Sequence, residues 1–593
     1  MEEALSRWES VGRAALPVHG LVLERRPGEE RQAVIDAVSR RVVHAPVGHV
    51  LALSASPDGR WAALQTAPRA DEDAGLQLLE VATGRVRDVP GVRCRYEPMR
   101  WAEDRLELVA RPAPDAPAAL LGVRLADACV VTVESVADDA RVRLFDAGPD
   151  GVLVESRPGE PTVLRDRGSG AVLARRPAVV RVLEDRADHE AVVVLGRHGV
   201  TALDAASGSP VWDWADEDLV IADAARDGDR VRIVGAAEGR SVVVEMVAGS
   251  ERRRRPVLLD GGPAAASAVG ADAQGRPAVL AESPLHPPRV VPIADLAAGD
   301  ALAAGLPAVA AAPVPGAAGP VVAGATRMLT VPADDGAVLT VAVTSPPGAT
   351  GPRPTIVTCY GGFGVAALPA FEPTVPAWIE HGGCWATAQV RGGGEHGRAF
   401  RRAGQGVDKA RGVDDLRCIV RGLVAAGLTR PEMLCVIGGS HGGVLAASAA
   451  LLEAHAGAGP WCAGVVTTAA PVDLERLADH PFGRMWEREF GDPSTAAGRA
   501  ELRRLNPVRL ARQLPPRGRG PGVPGRHARR GRPRAAGADP GTGRRAAGAR
   551  GQRRAPRGRR RGARWQPSGR RARARRARAG LLRPGHGRIL VLL

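Results

Sequence analysis

The 593-residue sequence predicts a multidomain chain: a β-propeller of about seven blades, an α/β layer on a parallel sheet, and a disordered Arg-rich tail. Three observations predict it. Short β-rich runs between about His44 and Pro320 are separated by recurring turns, the first three of one type about 46 residues apart. After Ala325 strands alternate with helices, and after Pro516 the composition collapses to Arg, Gly, Pro and Ala. The length exceeds one compact domain, and 45% apolar residues supply cores that a wholly disordered chain lacks.

Residues 1–40 read as a polar helical segment expected to pack on the downstream α/β domain. They hold no apolar run of the kind a secretory signal needs. Residues 41–325 read as the propeller. Val192–Leu195, Val231–Val234 and Ser241–Glu245 are strand-like runs. One turn type precedes a strand: Pro57-Asp-Gly, Glu103-Asp-Arg, Pro149-Asp-Gly and Asp227-Gly-Asp. A second joins strands through Thr83-Gly84 or Ser207-Gly208. Degenerate units of four short strands at this period are how propeller blades read, and about 280 residues hold roughly seven. A large β-sandwich is the alternative. The low-charge stretch Ala301 to Thr326 contains four prolines, which argues against a membrane span.

Residues 326–516 read as the α/β domain. Met328 to Val343 is a hairpin around Asp335-Gly336. Thr355–Cys359 ends at Tyr360-Gly-Gly, Cys384–Val390 ends at Arg391-Gly-Gly-Gly, and a helix follows from about Val413 to Ala426. Met433–Ile437 is a short buried strand, and a small-residue helix runs from His441 to about His455.

Gly438-Gly-Ser-His-Gly-Gly443 lies directly between that strand and that helix. A Gly-x-Ser-x-Gly spacing in this context is a nucleophile elbow. Side chains two before and two after the serine would collide with neighbouring backbone, hence Gly438 and Gly442. The turn lifts the Ser440 hydroxyl clear of the sheet and aims the His441 amide at the same point. In a chain with 73 glycines the motif alone says little; the flanking strand and helix make it informative. A serine nucleophile also needs donors for the developing oxyanion, each worth roughly 10²–10³ in rate. The His441 amide supplies one. Tyr360, one of two tyrosines in the chain, sits at a strand end before paired glycines and is a candidate for the second; a core tyrosine with a satisfied hydroxyl is the bland alternative.

Tyr360-Gly-Gly-Phe, Val390-Arg-Gly-Gly-Gly-Glu-His-Gly, Gly412-Val-Asp-Asp-Leu and Gly438-Gly-Ser-His-Gly-Gly together resemble, in order and spacing, the prolyl oligopeptidase family of serine peptidases. The resemblance covers the chain to about Pro516. It implies a seven-bladed β-propeller joined to an α/β-hydrolase domain, with Ser440 as nucleophile and Tyr360 as the hydroxyl donor of the oxyanion hole. Phe363 would wall the pocket for the residue before the cut. Arg484-Met-Trp-Glu-Arg-Glu-Phe-Gly resembles the segment that stacks a ring on proline, with Trp486 as that ring and Phe490 as a second wall. The bland reading of Trp486 and Phe490 is an i, i+4 apolar pair on a core helix. Two departures stand out. Phe490 replaces the usual tyrosine, and His441 replaces the usual asparagine, whose backbone amide does the work.

The base and its carboxylate partner are missing. In this fold they follow later strands, and the hydrolase domain reads as truncated, leaving its sheet with a bare edge. Residues 517–593 carry 25 arginines and one acid, Asp539, so residues 1–516 hold 56 basic against 64 acidic residues, a net of −8 within the overall +16. Asp539 and His586 are in-frame candidates for the acid and base, in the right order but after no credible strand. A genuine basic tail would bind nucleic acid. A wrong reading frame explains more: a single lysine, Lys409, beside abundant Arg, Ala, Gly and Pro marks a GC-rich gene, and such a gene read out of frame gives this composition. Shifted one base forward, the codons for Gly562 to Gln566 permit Gly-His-Gly and then force Gly followed by Ser or Asn. The same shift permits Asp at Arg529-Arg530, about 34 positions earlier.

Seven unpatterned cysteines read as reduced thiols of a cytoplasmic protein without disulfides or a zinc site. The expectation is a monomeric serine peptidase acting on short peptides after proline, without metal or cofactor, without a membrane, and inactive as written. The rivals are a dead propeller/hydrolase scaffold with a nucleic-acid-binding arm, and an esterase or aminopeptidase-like hydrolase.

Overall fold

The recurring turns occupy one corner of the blade. In the computed structural model, which describes residues 1–514 and 591–592 except 69–72, 114–115, 149, 185–189, 297–321, 458 and 480–482, each Asp-Gly-like turn joins the first strand of a blade to its second. Thus Asp58-Gly59 links His49–Ala55 to Trp61–Ala67, and Asp227-Gly228 links Val220–Asp227 to Arg230–Ala237. Ser56 Oγ and the Asp58 carboxylate bond within the first of these, at 2.6 Å. The second turn type joins third to fourth strands, as at Thr83-Gly84. The Arg-rich tail, Asp539 and His586 lie outside the described residues.

Among the described residues, seven antiparallel sheets of three or four strands follow in chain order. Residues 21–44 and 265–292 give three strands each; 49–94, 99–135, 141–176, 181–215 and 220–256 give four. Apolar clusters lie between successive sheets. Ala63, Leu76 and Leu78 of the second blade pack with Leu106, Leu108 and Leu121 of the third, and Leu183 and Val193 of the fifth pack with Ile233 and Val244 of the sixth. Burial of these inner faces is what holds blade to blade.

The expected helix over residues 1–40 is confined to α1 (Glu2–Glu9), and the first blade begins at Leu21, so the propeller starts about 20 residues before the expected boundary. Leu21–Arg25 and Gln32–Asp36 each hold three consecutive apolar residues beside polar ends and pair in register Leu21↔Asp36 to Arg25↔Gln32. A signal for this was present. Asp36-Ala-Val-Ser39 makes the bond, Ser39 N to Asp36 Oδ1 at 2.7 Å, that Ser169 makes to Asp166 and Ser207 to Asp204 in later blades. The segment before this blade reaches the last one, where the Ala14 amide donates to the Pro288 carbonyl (3.3 Å).

The second domain is one mixed sheet. Its strands are β1 (Ala325–Pro332), β2 (Val338–Ser345), β3 (Thr355–Cys359), β4 (Cys384–Gln389), β5 (Leu434–Gly439), β6 (Gly464–Thr468) and β7 (Val591–Leu592), in the order β1-β2-β4-β3-β5-β6-β7. β1 and β2 are antiparallel to their neighbours and the rest are parallel. Every residue of β4 is buried, as a strand covered on both faces requires. The helices are α2 (Thr374–Glu380), α3 (Gly397–Arg402), α4 (Ala410–Ala425), α5 (His441–Ala456), α6 (Gly483–Phe490), α7 (Ala496–Leu505) and α8 (Pro507–Gln513). The edge of β6, expected bare, carries a two-residue parallel pairing from the end of the chain, Val465↔Val591 and Val466↔Leu592. No helix among the described residues is long and apolar enough to cross a membrane.

The propeller meets this domain at the loop after β4. Gly239 N donates to Glu395 O (2.9 Å), Gln389 Nε2 donates to Gly239 O (2.8 Å), and Arg398 N donates to Glu217 O (2.8 Å). α1 docks on α2, with Trp8 fully buried and its indole N–H donating to Glu380 at 3.0 Å.

Candidate active site

Ser440 stands between β5 and α5 at φ +49°, ψ −121°, a conformation a non-glycine residue holds only when its surroundings over-determine it. They do so through backbone. Ser440 N donates to Thr468 O of β6 at 2.8 Å. A Cβ on Gly438 would lie 2.1 Å from Gly442 O, and one on Gly442 would lie 2.2 Å from the Cys359 carbonyl of β3. Only hydrogen fits at either position, so the two glycines bring β3, β5 and α5 together beneath the serine. The Ser440 side chain itself is exposed.

The structure brings Tyr360, Phe363, Ser440, His441, Trp486 and Phe490 together around a single cavity of about 320 Å³, completed by Pro471. That volume and its apolar rings suit one small side chain or a short peptide. Tyr360 and Ser440 line this cavity side by side; burial raises the Tyr360 pKa, the Glu489 carboxylate adds to the rise, and the neighbouring Ser440 side chain opposes it. His441 is the first residue of α5, so its amide has no acceptor within the helix. Amide and phenol therefore both lie beside Ser440.

The His441 side chain does more than the sequence suggested. It is 1% exposed, and its Nδ1 lies 2.7 Å from the Tyr360 carbonyl. Since a carbonyl only accepts, Nδ1 carries the proton. The ring forms the floor on which the pocket aromatics meet, with centroids 5.0 Å from Phe490, 5.7 Å from Phe363 and 5.8 Å from Tyr360. Burial, and then the nearby Lys409 charge, hold its pKa well below the ordinary 6.5, so it is neutral. Among the described residues it is the only imidazole lining the cavity, and its bonded Nδ1 ties it to the Tyr360 backbone rather than to Ser440.

Lys409 and Glu489 were not singled out as site residues. The Lys409 ammonium is 2.5 Å from Glu489 Oε1 and 3.4 Å from the Gly361 carbonyl, with both side chains almost fully buried. The pair joins the helix that carries Trp486 and Phe490 to the loop that carries Tyr360 and Phe363. Its one sequence signal was that the chain's only lysine is retained amid arginine. Arg391 anchors the next loop. Its guanidinium bonds Asp415 on α4 and Asp335 in the β1–β2 turn, both at 2.5 Å, and these carboxylates raise its pKa.

Residues 369–516 match the sequence profile of the Prolyl oligopeptidase family. An uncharacterized peptidase of Rickettsia prowazekii (strain Madrid E) is 31% identical over 160 residues, covering 27% of this chain and 21% of the relative. A prolyl endopeptidase of Elizabethkingia meningoseptica is 31% identical over 142 residues, covering 24% and 19%. The chain thus spans about a fifth of the length of the curated relatives it matches. Among solved structures, prolyl oligopeptidase B from Galerina marginata bound to a 25mer macrocyclization substrate superposes with TM-score 0.65 at 14% identity, over 86% of this chain and 80% of that one. One from a structural study of two prolyl endopeptidases gives TM-score 0.60 at 20% identity, over 86% and 78%. These likenesses establish a shared propeller-plus-hydrolase fold.

Proposed function

Because residues 369–516 belong to the prolyl oligopeptidase family, we propose that this chain is built as a serine peptidase that cleaves short peptides after proline, in the cytoplasm, as a monomer and without metal or cofactor. The observation that carries the reading is the Ser440 elbow, with Tyr360 beside it in an aromatic cavity. Trp486 stacks on the proline ring while Phe363 and Phe490 close its sides. Ser440 Oγ attacks the following carbonyl carbon, and the Tyr360 hydroxyl and His441 amide stabilise the oxyanion. The amine leaves with a proton, and water then releases the acyl group from the ester.

Ser440 needs a base, and the His441 imidazole is held by Tyr360. The chain as written is therefore inactive, its base and acid encoded one base out of frame beyond Pro516. The test compares the chain as written with the product of a gene from which one base near the codon for Pro516 is removed, which moves the reading one base forward. A fluorophosphonate probe should label Ser440 at least about 10³-fold faster in the restored protein. That protein should cleave proline peptides in preference to simple esters and aminopeptidase substrates. Equal labelling of the two, or restored activity confined to esters, overturns the reading.

A further inference from the structure

Two arginines from different domains meet beside the cavity wall. Arg197, on the exposed turn between strands Ala191–Leu195 and Gly199–Asp204 of the fifth blade, donates to the Phe363 carbonyl at 3.4 Å. Arg401, at the end of α3, crosses the next residue. A Cβ built on Gly364 would lie 2.6 Å from Arg401 Cδ, 2.8 Å from its Nε and 3.0 Å from Arg197 Nη1. Both side chains therefore lie over the same short backbone, at the residue that walls the cavity.

Neither guanidinium has an ion-pair partner among the described residues, and Arg401 Nε is buried without a hydrogen-bond acceptor. The surroundings sharpen this. Burial, then the positive charges of Arg197, Arg488 and Arg402, push the Arg401 pKa down, and Glu489 alone opposes them. Glu489 is already engaged by Lys409. Arg398, by contrast, has its own carboxylate in Glu217. An unneutralised cationic pair in a body whose net charge is −8 is a local feature, and buried N–H groups left without acceptors are costly. Paired guanidinium forks match the geometry of a carboxylate.

We propose that Arg197 and Arg401 form a carboxylate-binding subsite at the Phe363 edge of the Ser440 cavity, so that this peptidase selects acidic short peptides. The proposal rests on the peptidase reading above. The carboxylate comes either from an Asp or Glu side chain next to the proline or from the C-terminus of a peptide that ends there. One partner comes from each domain, so the subsite exists only while propeller and hydrolase are apposed.

The test measures binding to the full chain by fluorescence anisotropy, using dansylated Gly-Pro-Asp-Gly amide, Gly-Pro-Asn-Gly amide and Gly-Pro-Asn as the free acid. At low ionic strength the Asp peptide or the free acid should bind about tenfold tighter than the neutral amide, and salt should erase the difference. Whichever of the two shows the gain identifies the source of the carboxylate. Arg197→Ala, an exposed change remote from any core, should remove most of the preference, and Arg401→Lys should retain part of it. Equal affinity for all three peptides overturns the subsite and leaves the peptidase reading standing. Failure of every peptide to bind overturns both.

Discussion

Glu395 lies in the loop that joins the two domains, and its environment makes fold stability depend on pH. The side chain is fully buried. Oε1 accepts from the Ala367 amide at 2.6 Å, while Oε2 has no partner among the described residues. Burial pushes its pKa from the ordinary 4.5 up to about 7, against a smaller downward pull from backbone amides. The raised value means that the folded state binds the proton more tightly than the unfolded one. Stability is therefore intact below about pH 4.5 and is lost as pH rises through about 7. At roughly 1.4 kcal/mol per pH unit, the loss by pH 8 is about 3 kcal/mol. Glu395→Gln keeps the oxygen that faces Ala367 and removes the titration. Urea unfolding of both proteins between pH 5 and pH 8, followed by tryptophan fluorescence, isolates the effect. His396 also titrates in this region, with its pKa lowered by burial, but it is common to both and cancels in the difference. The variant should match the wild type near pH 5 and exceed it by about 3 kcal/mol at pH 8. Parallel pH profiles would refute the reasoning.

Two further substitutions test how the site is supported. Lys409→Met strands the Glu489 carboxylate, and an uncompensated buried charge costs about 3–5 kcal/mol; the double variant with Glu489→Gln should recover most of the lost melting temperature. Gly442→Ala places a methyl 2.2 Å from the Cys359 carbonyl, so calorimetry should show a melting temperature lower by several degrees, and Ser440 should lose whatever probe labelling it has.

How much of this was legible in the sequence depended on the range of the interaction. Local signals carried well. The Asp-Gly turns marked blade corners because a short connection with glycine at positive φ, Gly59 at +69° and Gly228 at +60°, fixes its own geometry, and the elbow was readable because its steric requirement spans only Gly438 to Gly442. The first blade was missed because Leu21–Arg25 and Gln32–Asp36 are short, mixed in polarity and stabilised by pairing with each other, which no window along the chain registers. Lys409, Glu489 and the buried face of His441 were missed for a related reason. Lys409 and Glu489 are separated by 80 residues, and only the fold reveals that each would be an isolated buried charge without the other.

The wall of the cavity is not the work of the hydrolase domain alone. Arg391 is clamped to α4 and to the β1–β2 turn through Asp415 and Asp335, and the glycines after it run as a ribbon beneath the Phe363 loop. Gly364 N donates to Gly392 O at 3.1 Å, and Gly394 N donates to Val365 O at 3.3 Å. One residue further on, the Glu395 carbonyl accepts from Gly239 of the propeller. Phe363 is thus tied through three backbone bonds to a turn of the sixth blade, and through Arg197 to the fifth. Moving the blades away from this loop would release the Phe363 wall while leaving Ser440, held by Thr468 and the β3–β5–α5 packing, in place. Binding at the cavity should therefore respond to domain apposition more steeply than the reactivity of the serine itself.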